Sequence, residues 1–184
     1  MNLYYLLGLF EGDGYQWTGT FGITNRNEKI LKVAAKILCE FGNVKWKKDN
    51  RGFFRICITS RPAKRDFMKT MNFIKNSLDN KNSVYYFAGK FDADGSRWLD
   101  RDRVKITYGM NDTILFDKNL LSRLKIESKI RKYKQRNALD LEISSDSARK
   151  FIKLIKPFSV KMSFWDDKVR AVKCGSENMR ARVR

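Results

Sequence analysis

The chain has 184 residues, and its 39 lysines and arginines outnumber its 20 acidic residues to give a formal net charge of +19. This excess favours a polyanionic partner, nucleic acid first and an anionic membrane surface second, because each neutralised phosphate releases a bound counterion. The sequence has no histidine, which excludes Ser-His-Asp and Cys-His catalysis, histidine-dependent nucleases and zinc fingers with histidine ligands.

The first part of the chain predicts a helix, a hairpin, a second helix, a second hairpin and a third helix. Alternating residues and glycines favour the strands, and apolar residues at spacings of three and four favour the helices. Asn27 is a candidate N-cap for the second helix, which is expected to end at Gly42. The predicted ranges are 3–13, 15–24, 27–41, 44–48 with 53–59, and 62–74.

The same order of elements returns in the second part of the chain. Residues 6–14 (LLGLFEGDG) recur as residues 87–95 (FAGKFDADG), and a repeat of this kind predicts two copies of one structural unit. Ser145 or Ser147 is expected to cap the last helix, which Pro157 ends. The predicted ranges are 85–94, 98–108 with a turn near 100–102, 111–121, 129–133, 138–143 and 145–155. The chain therefore divides into half-domains 1–76 and 84–173, a linker 77–83 and a basic tail 174–184.

The two repeated helices carry small residues four positions apart, Gly8 with Gly12 in the first and Gly89 with Ala93 in the second. Small residues on one helix face allow two backbones to approach closely, so the two helices are expected to pack on each other. Each helix ends in an Asp-Gly pair, at Asp13 and at Asp94, where the negative end of the helix dipole disfavours a carboxylate. Parallel packing would bring both acids together, and a divalent cation would relieve their repulsion.

Both segments resemble the motif of the LAGLIDADG homing endonucleases, and two motifs spanning roughly residues 3–165 resemble the monomeric members of that family. The resemblance implies an α+β fold of two pseudo-symmetric αββαββα repeats, packed through paired motif helices, each with an antiparallel DNA-binding sheet. Glu11 and Asp92, at the sixth motif position, are expected to make helix-end hydrogen bonds. Lys90 and Leu7 depart from the usual motif residues, and both are expected to change only local packing.

The resemblance also implies the metal ligands. Asp13 and Asp94 occupy the motif position that binds divalent metal ions at the scissile phosphates. The backbone carbonyls of the preceding residues, Gly12 and Ala93, are candidate additional ligands. Because these candidate ligands are all oxygen atoms, Mg²⁺ is the expected metal, with Mn²⁺ as a substitute.

Supporting catalytic residues are expected from two further places in each half. Asn25 fits the polar residue that the family has after the first pair of strands, and Gly109 stands opposite it in the second half. Lys161 fits the lysine that follows the last helix, with Lys81 as its loose counterpart. A lysine near a phosphate stabilises developing charge or orients water, although a solvated surface charge is an equal alternative for Lys81.

Polar and basic residues at alternate strand positions are expected to share one face of each sheet and to contact DNA. For any single one of them, a solvated surface position is the alternative. The predicted DNA-binding residues are Gln16, Thr18, Thr20, Lys45, Lys47, Arg55, Arg97, Arg101, Arg103, Lys105, Lys129, Arg131, Tyr133 and Gln135.

These features predict an intron-encoded homing endonuclease that makes double-strand breaks as a monomer at a long asymmetric or pseudo-palindromic DNA site. No obligate protein partner and no membrane are expected. Three widely spaced cysteines and the lack of a signal segment favour an intracellular location. The alternatives are an RNA maturase of the same fold, which assists intron splicing, and a catalytically silent DNA-binding module.

Overall fold

A computed structural model describes residues 2–98, 103–109, 113–132 and 137–163, and its helices and strands follow the order αββαββα twice. A short 3₁₀ turn, Cys39–Phe41, follows the second helix. The first repeat contains α1 (Leu3–Asp13), β1 (Gly14–Trp17), β2 (Thr20–Asn25), α2 (Glu28–Leu38), β3 (Lys45–Lys48), β4 (Phe54–Thr59) and α3 (Arg61–Asn76). The second repeat contains α4 (Asn80–Asp94), β5 (Gly95–Trp98), β6 (Arg103–Tyr108), α5 (Thr113–Arg123), β7 (Lys129–Lys132), β8 (Leu139–Ser144) and α6 (Ser145–Ile155).

Each repeat forms one four-stranded antiparallel sheet. The strand orders are β1-β2-β4-β3 and β5-β6-β8-β7, so the second sheet repeats the topology of the first. One face of each sheet is apolar and buried beneath the helices of its own repeat, and the other face is directed outwards. The buried strand residues are Phe21, Ile23, Ile56 and Ile58 in the first sheet and Val104, Ile106, Leu141 and Ile143 in the second. The predicted α+β class and the repeated order of elements are confirmed.

Helix ends follow local capping chemistry, with two differences from the sequence prediction. Asn27 caps α2 as expected, since its side chain accepts a hydrogen bond from the Lys29 N–H. Helix α4 begins at Asn80, five residues earlier than predicted, because Asp79 caps it through a 2.6 Å bond from the Asn82 N–H. The cap of α6 was predicted wrongly: Ser144 occupies that position without a side-chain bond.

The motif helices α1 and α4 pack in parallel, backbone against backbone. A Cβ atom added to Gly8 would overlap the carbonyl oxygen of Tyr86, and one added to Gly89 would overlap the carbonyl oxygen of Tyr5. These reciprocal contacts exist because glycine removes the side chain that would otherwise separate the two helix axes. The expected pairing of the motif helices through small residues is therefore confirmed.

The helices of the described residues include none that is both long and apolar enough to cross a membrane.

Replacing Gly8 with alanine is expected to destabilise the protein by about 3 kcal/mol or more, since the new methyl group meets rigid backbone and not a flexible side chain. Gly109→Ala is the matched control, because a Cβ atom at this exposed glycine meets nothing within 4 Å. Thermal unfolding of the two variants measures the difference. Equal melting temperatures would contradict the close packing of α1 on α4.

Candidate active site

The parallel packing of α1 and α4 brings the carboxylates of Asp13 and Asp94 to the same end of the helix pair. A Cβ atom on Gly12 would touch the Asp94 carboxylate, which shows how closely the two helices approach each other there. Burial raises the pKa of Asp13 to about 6; the hydrogen bond from Asn25 opposes this rise, and the Asp94 charge adds to it. Burial also raises the pKa of Asp94, against the charges of Lys90 and Lys161. Two carboxylates that are partly removed from water thus lie close together at this point.

Asn25 holds the first of these acids. It is the last residue of β2, is nearly buried, and donates a 2.5 Å hydrogen bond from Nδ2 to Oδ2 of Asp13. Its own Oδ1 accepts a 2.7 Å bond from the N–H of Asn27, which fixes the orientation of the amide. The structure therefore places Asn25 beside Asp13, where the sequence predicted a polar residue.

The second half has a different residue at the equivalent position. Asn25 pairs with Phe54 at the start of β4, and Tyr108 pairs with Leu139 at the start of β8. The expectation that Gly109 stands opposite Asn25 is therefore wrong by one residue. Gly14 pairs with Ile23 and Gly95 pairs with Ile106, so the residue two positions further along β6 is Tyr108. The Tyr108 hydroxyl donates to Asp117 at 2.5 Å, so Asp94 receives no counterpart of the Asn25 bond from this strand.

Lys161 lies at the C-terminal end of α4, where its charge interacts with both acids. Its Nζ donates to the carbonyl oxygen of Ala93 at 2.8 Å and approaches those of Phe91 and Gly95 at 3.3 Å. Burial lowers the pKa of this lysine, and the charges of Asp92, Asp13 and Asp94 act in the opposite direction. The structure thus brings Lys161 into the site, as the sequence predicted.

Asp92 fixes the segment that carries Lys161. This completely buried carboxylate accepts bonds from Ser159 Oγ at 2.5 Å, from the N–H groups of Val160 and Lys161 at 2.7 and 3.0 Å, and from the Tyr5 hydroxyl at 2.8 Å. Asp92 does accept hydrogen bonds from backbone N–H groups at a helix end, as expected. These groups belong to the separate helical turn that begins at residue 160 and not to the helix that carries Asp92. Its effect on Lys161, and the contribution of Tyr5 from the other half, could not be seen in the sequence.

Glu11, at the matching motif position, belongs to a buried charged cluster. Its oxygens accept a 2.6 Å bond from Lys75 Nζ and a 2.5 Å bond from the Tyr86 hydroxyl, and Lys90 Nζ lies 3.6 Å away. Glu11 therefore joins the two halves, and its side chain does not make the expected bond to the backbone at the end of its own helix.

The Tyr86 hydroxyl also lies 2.7 Å from Asp117 Oδ1, and burial raises the pKa of Asp117 to about 6.

Lys90 has more influence on the site than the sequence indicated. It is only 1% exposed, and its ammonium group stands 4.8 Å from the centre of the Tyr108 ring. Together with Glu11, Asp94 and Tyr108 it lines a cavity of about 260 Å³, and its charge lowers the pKa of Asp94. The expectation that this departure from the motif affects only packing is wrong, because the lysine places a buried cation beside one of the two acids. Leu7, the other departure, is simply buried in the core.

Lys81 lies far from the acids. It is the second residue of α4 and lines a shallow surface pocket with Asp79, Asn80 and Arg123. Thirteen residues at about 1.5 Å rise each separate it from Asp94 by about 20 Å along the helix. The prediction that Lys81 is the counterpart of Lys161 is therefore wrong, and the solvated alternative describes it better.

The outer face of the first sheet carries basic and aromatic side chains. Cross-strand neighbours share a face, and the register places Lys45, Lys47, Arg55 and Thr20 there. The predicted face of Gln16 is wrong, since Gln16 pairs with the buried Phe21, and Thr18 lies in the turn. In this register each odd-numbered residue of β1 pairs with an even-numbered residue of β2. Even-numbered residues of β1, such as Gln16, therefore face the opposite side of the sheet from even-numbered residues of β2, such as Thr20. Tyr15 and Trp17 occupy the outer positions on β1.

The outer face of the second sheet carries the predicted Arg103, Lys105, Lys129 and Arg131. Arg97 does not join them, because it pairs with the buried Val104. Two acids that the prediction missed, Asp140 and Glu142, share this face with the basic residues. The remaining predicted DNA-binding residues, Arg101, Tyr133 and Gln135, lie outside the described residues.

The donor set fits a hard divalent cation. Within the described ranges, no three histidine, cysteine or acidic side chains converge on one point. Asp13 and Asp94 would hold such an ion together with oxygens from outside the chain, which is the ligand type that Mg²⁺ prefers. Gly12 remains a candidate carbonyl ligand, whereas the Ala93 carbonyl already accepts the Lys161 ammonium group.

The comparisons with known proteins agree with this architecture. Residues 82–156 match the family described as the LAGLIDADG-like domain. No curated protein sequence matches the chain.

Similar solved structures cover most of the chain. The homing endonuclease I-DmoI in complex with DNA and Ca has a TM-score of 0.69 at 18% identity, over 89% of this chain and 96% of that one. I-DmoI with DNA and Mn has a TM-score of 0.68 at 19% identity, over 83% and 94%. The N-terminal LAGLIDADG domain of DUF199/WhiA has a TM-score of 0.67 at 16% identity, over 83% and 81%. The chain therefore shares the fold of these LAGLIDADG structures, and its residues 82–156 match the LAGLIDADG-like domain.

Proposed function

We propose that the protein is a site-specific endonuclease that hydrolyses both strands of double-stranded DNA with the help of divalent metal ions. The convergence of Asp13 and Asp94, each directly before the first strand of a sheet with a basic outer face, is the observation that carries this proposal. Two neighbouring carboxylates with raised pKa values are unfavourable in an apo protein and useful to one that binds cations. The solved DNA complexes of I-DmoI, a homing endonuclease with the same fold, support this assignment.

The sheets supply the DNA-binding surface in this proposal. In each sheet the lysines and arginines of the outer face neutralise phosphates or contact base edges. Both motif helices belong to one chain, so the proposed enzyme acts as a monomer. Its half-domains 1–76 and 84–173 are joined by residues 77–83, the last four of which already form the first turn of α4. The tail 174–184 lies outside the described residues.

The proposed chemistry divides between the protein and the metal. When bound, Mg²⁺ or Mn²⁺ activates water and stabilises the leaving oxygen. Asp13 and Asp94 hold the cation, and Asn25 keeps the Asp13 carboxylate in one orientation. Lys161 provides a cationic group whose charge acts on both acids, where it stabilises negative charge that develops on a phosphate.

A DNA-binding protein without nuclease activity is the second candidate. The contact between Lys161 Nζ and the Ala93 carbonyl favours it, because the ammonium group engages an expected metal ligand. The N-terminal domain of DUF199/WhiA shares the fold as well. Cleavage assays separate the two candidates.

Incubation with a randomised duplex library and Mg²⁺ is expected to give breaks in both strands at one long motif, mapped by sequencing the new ends. Asp13→Asn and Asp94→Asn each remove one carboxylate charge, so each is expected to slow formation of the broken duplex by roughly 100-fold or more. Binding of the library without breaks by the wild type would overturn the enzyme assignment and favour the binding protein.

Lysine substitutions provide a matched pair for the same assay. Lys161→Met removes a cation that interacts with both acids and is expected to slow cleavage by about 10–100-fold. Lys81→Met makes the same chemical change about 20 Å away and is expected to leave the rate unchanged. Equal effects of the two substitutions would exclude a local role for Lys161.

The proposed metal site also predicts a dependence of stability on pH. The pKa of Asp13 is about 6 in the folded protein and 3.8 in the reference state. The folded protein therefore loses stability as pH rises from about 4 to about 6, by at most about 3 kcal/mol, and stays at the lower level above that window. With a metal chelator present, Asp13→Asn is expected to raise the melting temperature at pH 8 more than at pH 5.

Adding Mg²⁺ at pH 8 tests the same site, because a bound ion is expected to raise the melting temperature that the two unprotonated carboxylates lower. The ion should stabilise the wild type, since it binds the folded carboxylates, and it should have less effect on Asp13→Asn. A melting temperature of the wild type that does not respond to Mg²⁺ at any pH would argue against a metal site at Asp13.

A further inference from the structure

The outer faces of the two sheets have equivalent strand positions and basic residues on both outer strands, but they differ in the charge of the residues on the neighbouring strands. The registers align Lys45 with Lys129 and Lys47 with Arg131 on the outer strands. On the neighbouring strands, Arg55 and Cys57 of the first sheet correspond to Asp140 and Glu142 of the second. Two carboxylates therefore stand in the second sheet where the first has a guanidinium group and a thiol.

The two acids lie beneath the basic side chains of the second sheet. Asp140 is 2% exposed and Glu142 is 6% exposed, so neither reaches far into solvent. Asp140 accepts a 2.9 Å bond from Lys105 Nζ and a 2.8 Å bond from the Thr107 hydroxyl. Glu142 Oε2 lies 2.8 Å from Nε of Arg131 and 4.0 Å from Nη1 of Arg103. The acids thus support basic groups that lie above them.

Arg131 is the most exposed of the supported groups. Its side chain is 53% exposed, and the ion pair with Glu142 is made through Nε. A guanidinium group held at Nε still presents two terminal amino groups, a pair of donors that matches the O6 and N7 acceptors of guanine in the major groove. Fixing the arginine before binding reduces the side-chain entropy lost in the complex.

The basic groups of the first sheet have no such support among the described residues. The guanidinium carbon of Arg55 lies 5.1 Å from the centre of the Tyr15 ring and 5.8 Å from that of Trp17. Lys47, the positional equivalent of Arg131, is a flexible point charge on an exposed strand. Such lysines neutralise phosphates of any sequence and carry little base preference.

We propose that Arg131, oriented by Glu142, recognises a guanine in the part of the DNA that the second sheet covers. Base specificity is then concentrated in one half of the target, and the first sheet contributes mainly sequence-independent affinity. This inference rests on the proposed DNA-binding function, and it names the residues that select the site.

Selection of bound duplexes from a randomised DNA library tests the inference without requiring cleavage. The wild type should enrich a motif with a strong guanine in one half. Arg131→Ala should reduce the preference at that position by about 10-fold or more while the rest of the motif persists. Glu142→Gln keeps the arginine but removes the supporting charge, and should weaken the same preference.

Lys47→Ala is the matched control at the equivalent position. It should lower affinity for all sequences alike, reduce the salt dependence of binding by about one phosphate contact, and leave the motif unchanged. Circular dichroism and thermal unfolding of each variant confirm that it folds.

The outcomes separate this inference from the proposed function. If Arg131→Ala, like Lys47→Ala, lowers affinity for all sequences and leaves the motif intact, Arg131 is a phosphate contact and the inference is overturned. An unchanged motif in Glu142→Gln overturns the orienting role of Glu142. Failure of the folded wild type to bind any duplex removes the proposed function together with this inference.

Discussion

The contact of one helix backbone with another at Gly8 and Gly89 determines where everything else in the molecule lies. Because these two glycines interlock, α1 and α4 run side by side in one direction and end at the same level. Both Asp-Gly pairs then fall at that level, and β1 and β5 start from it. A larger residue at either glycine would separate the helices and with them the two acids. The geometry of the site is thus fixed by packing within the interface.

The same interface couples the halves chemically. Tyr5 of the first repeat donates to Asp92 of the second, and Asp92 holds the backbone that carries Lys161. Glu11 of the first repeat in turn accepts bonds from Lys75 and Tyr86. Asp92 and Glu11 each accept hydrogen bonds from several donors, as buried charge requires. The environment of the two acids therefore depends on side chains from both repeats.

The sequence predicted the features that depend on spacing along a single element. The repeated motif, the pairing of its helices and the position of Asn25 follow from local patterns and from the helical period. Face assignments failed at Gln16 and Arg97, because parity across a hairpin depends on the register of the turn. The buried cluster around Lys90 and the acid-supported face of the second sheet were also missed. They arise from contacts between segments that are distant in the sequence. The sequence alone does not show which oppositely charged residues become neighbours in the fold.

The repeats are only approximately symmetric. The difference between Asn25 and Tyr108 affects the order in which the two DNA strands would be cut under the proposed function. One acid is oriented by an amide, whereas the other has a buried lysine nearby and no equivalent amide from its strand. Under the proposed function, two centres built from different groups would hydrolyse their phosphodiester bonds at different rates. Under the proposed function, the two strands would therefore be cut in a preferred order, with a singly nicked duplex as a transient product. The second cut would start from DNA that is already more flexible than the intact duplex.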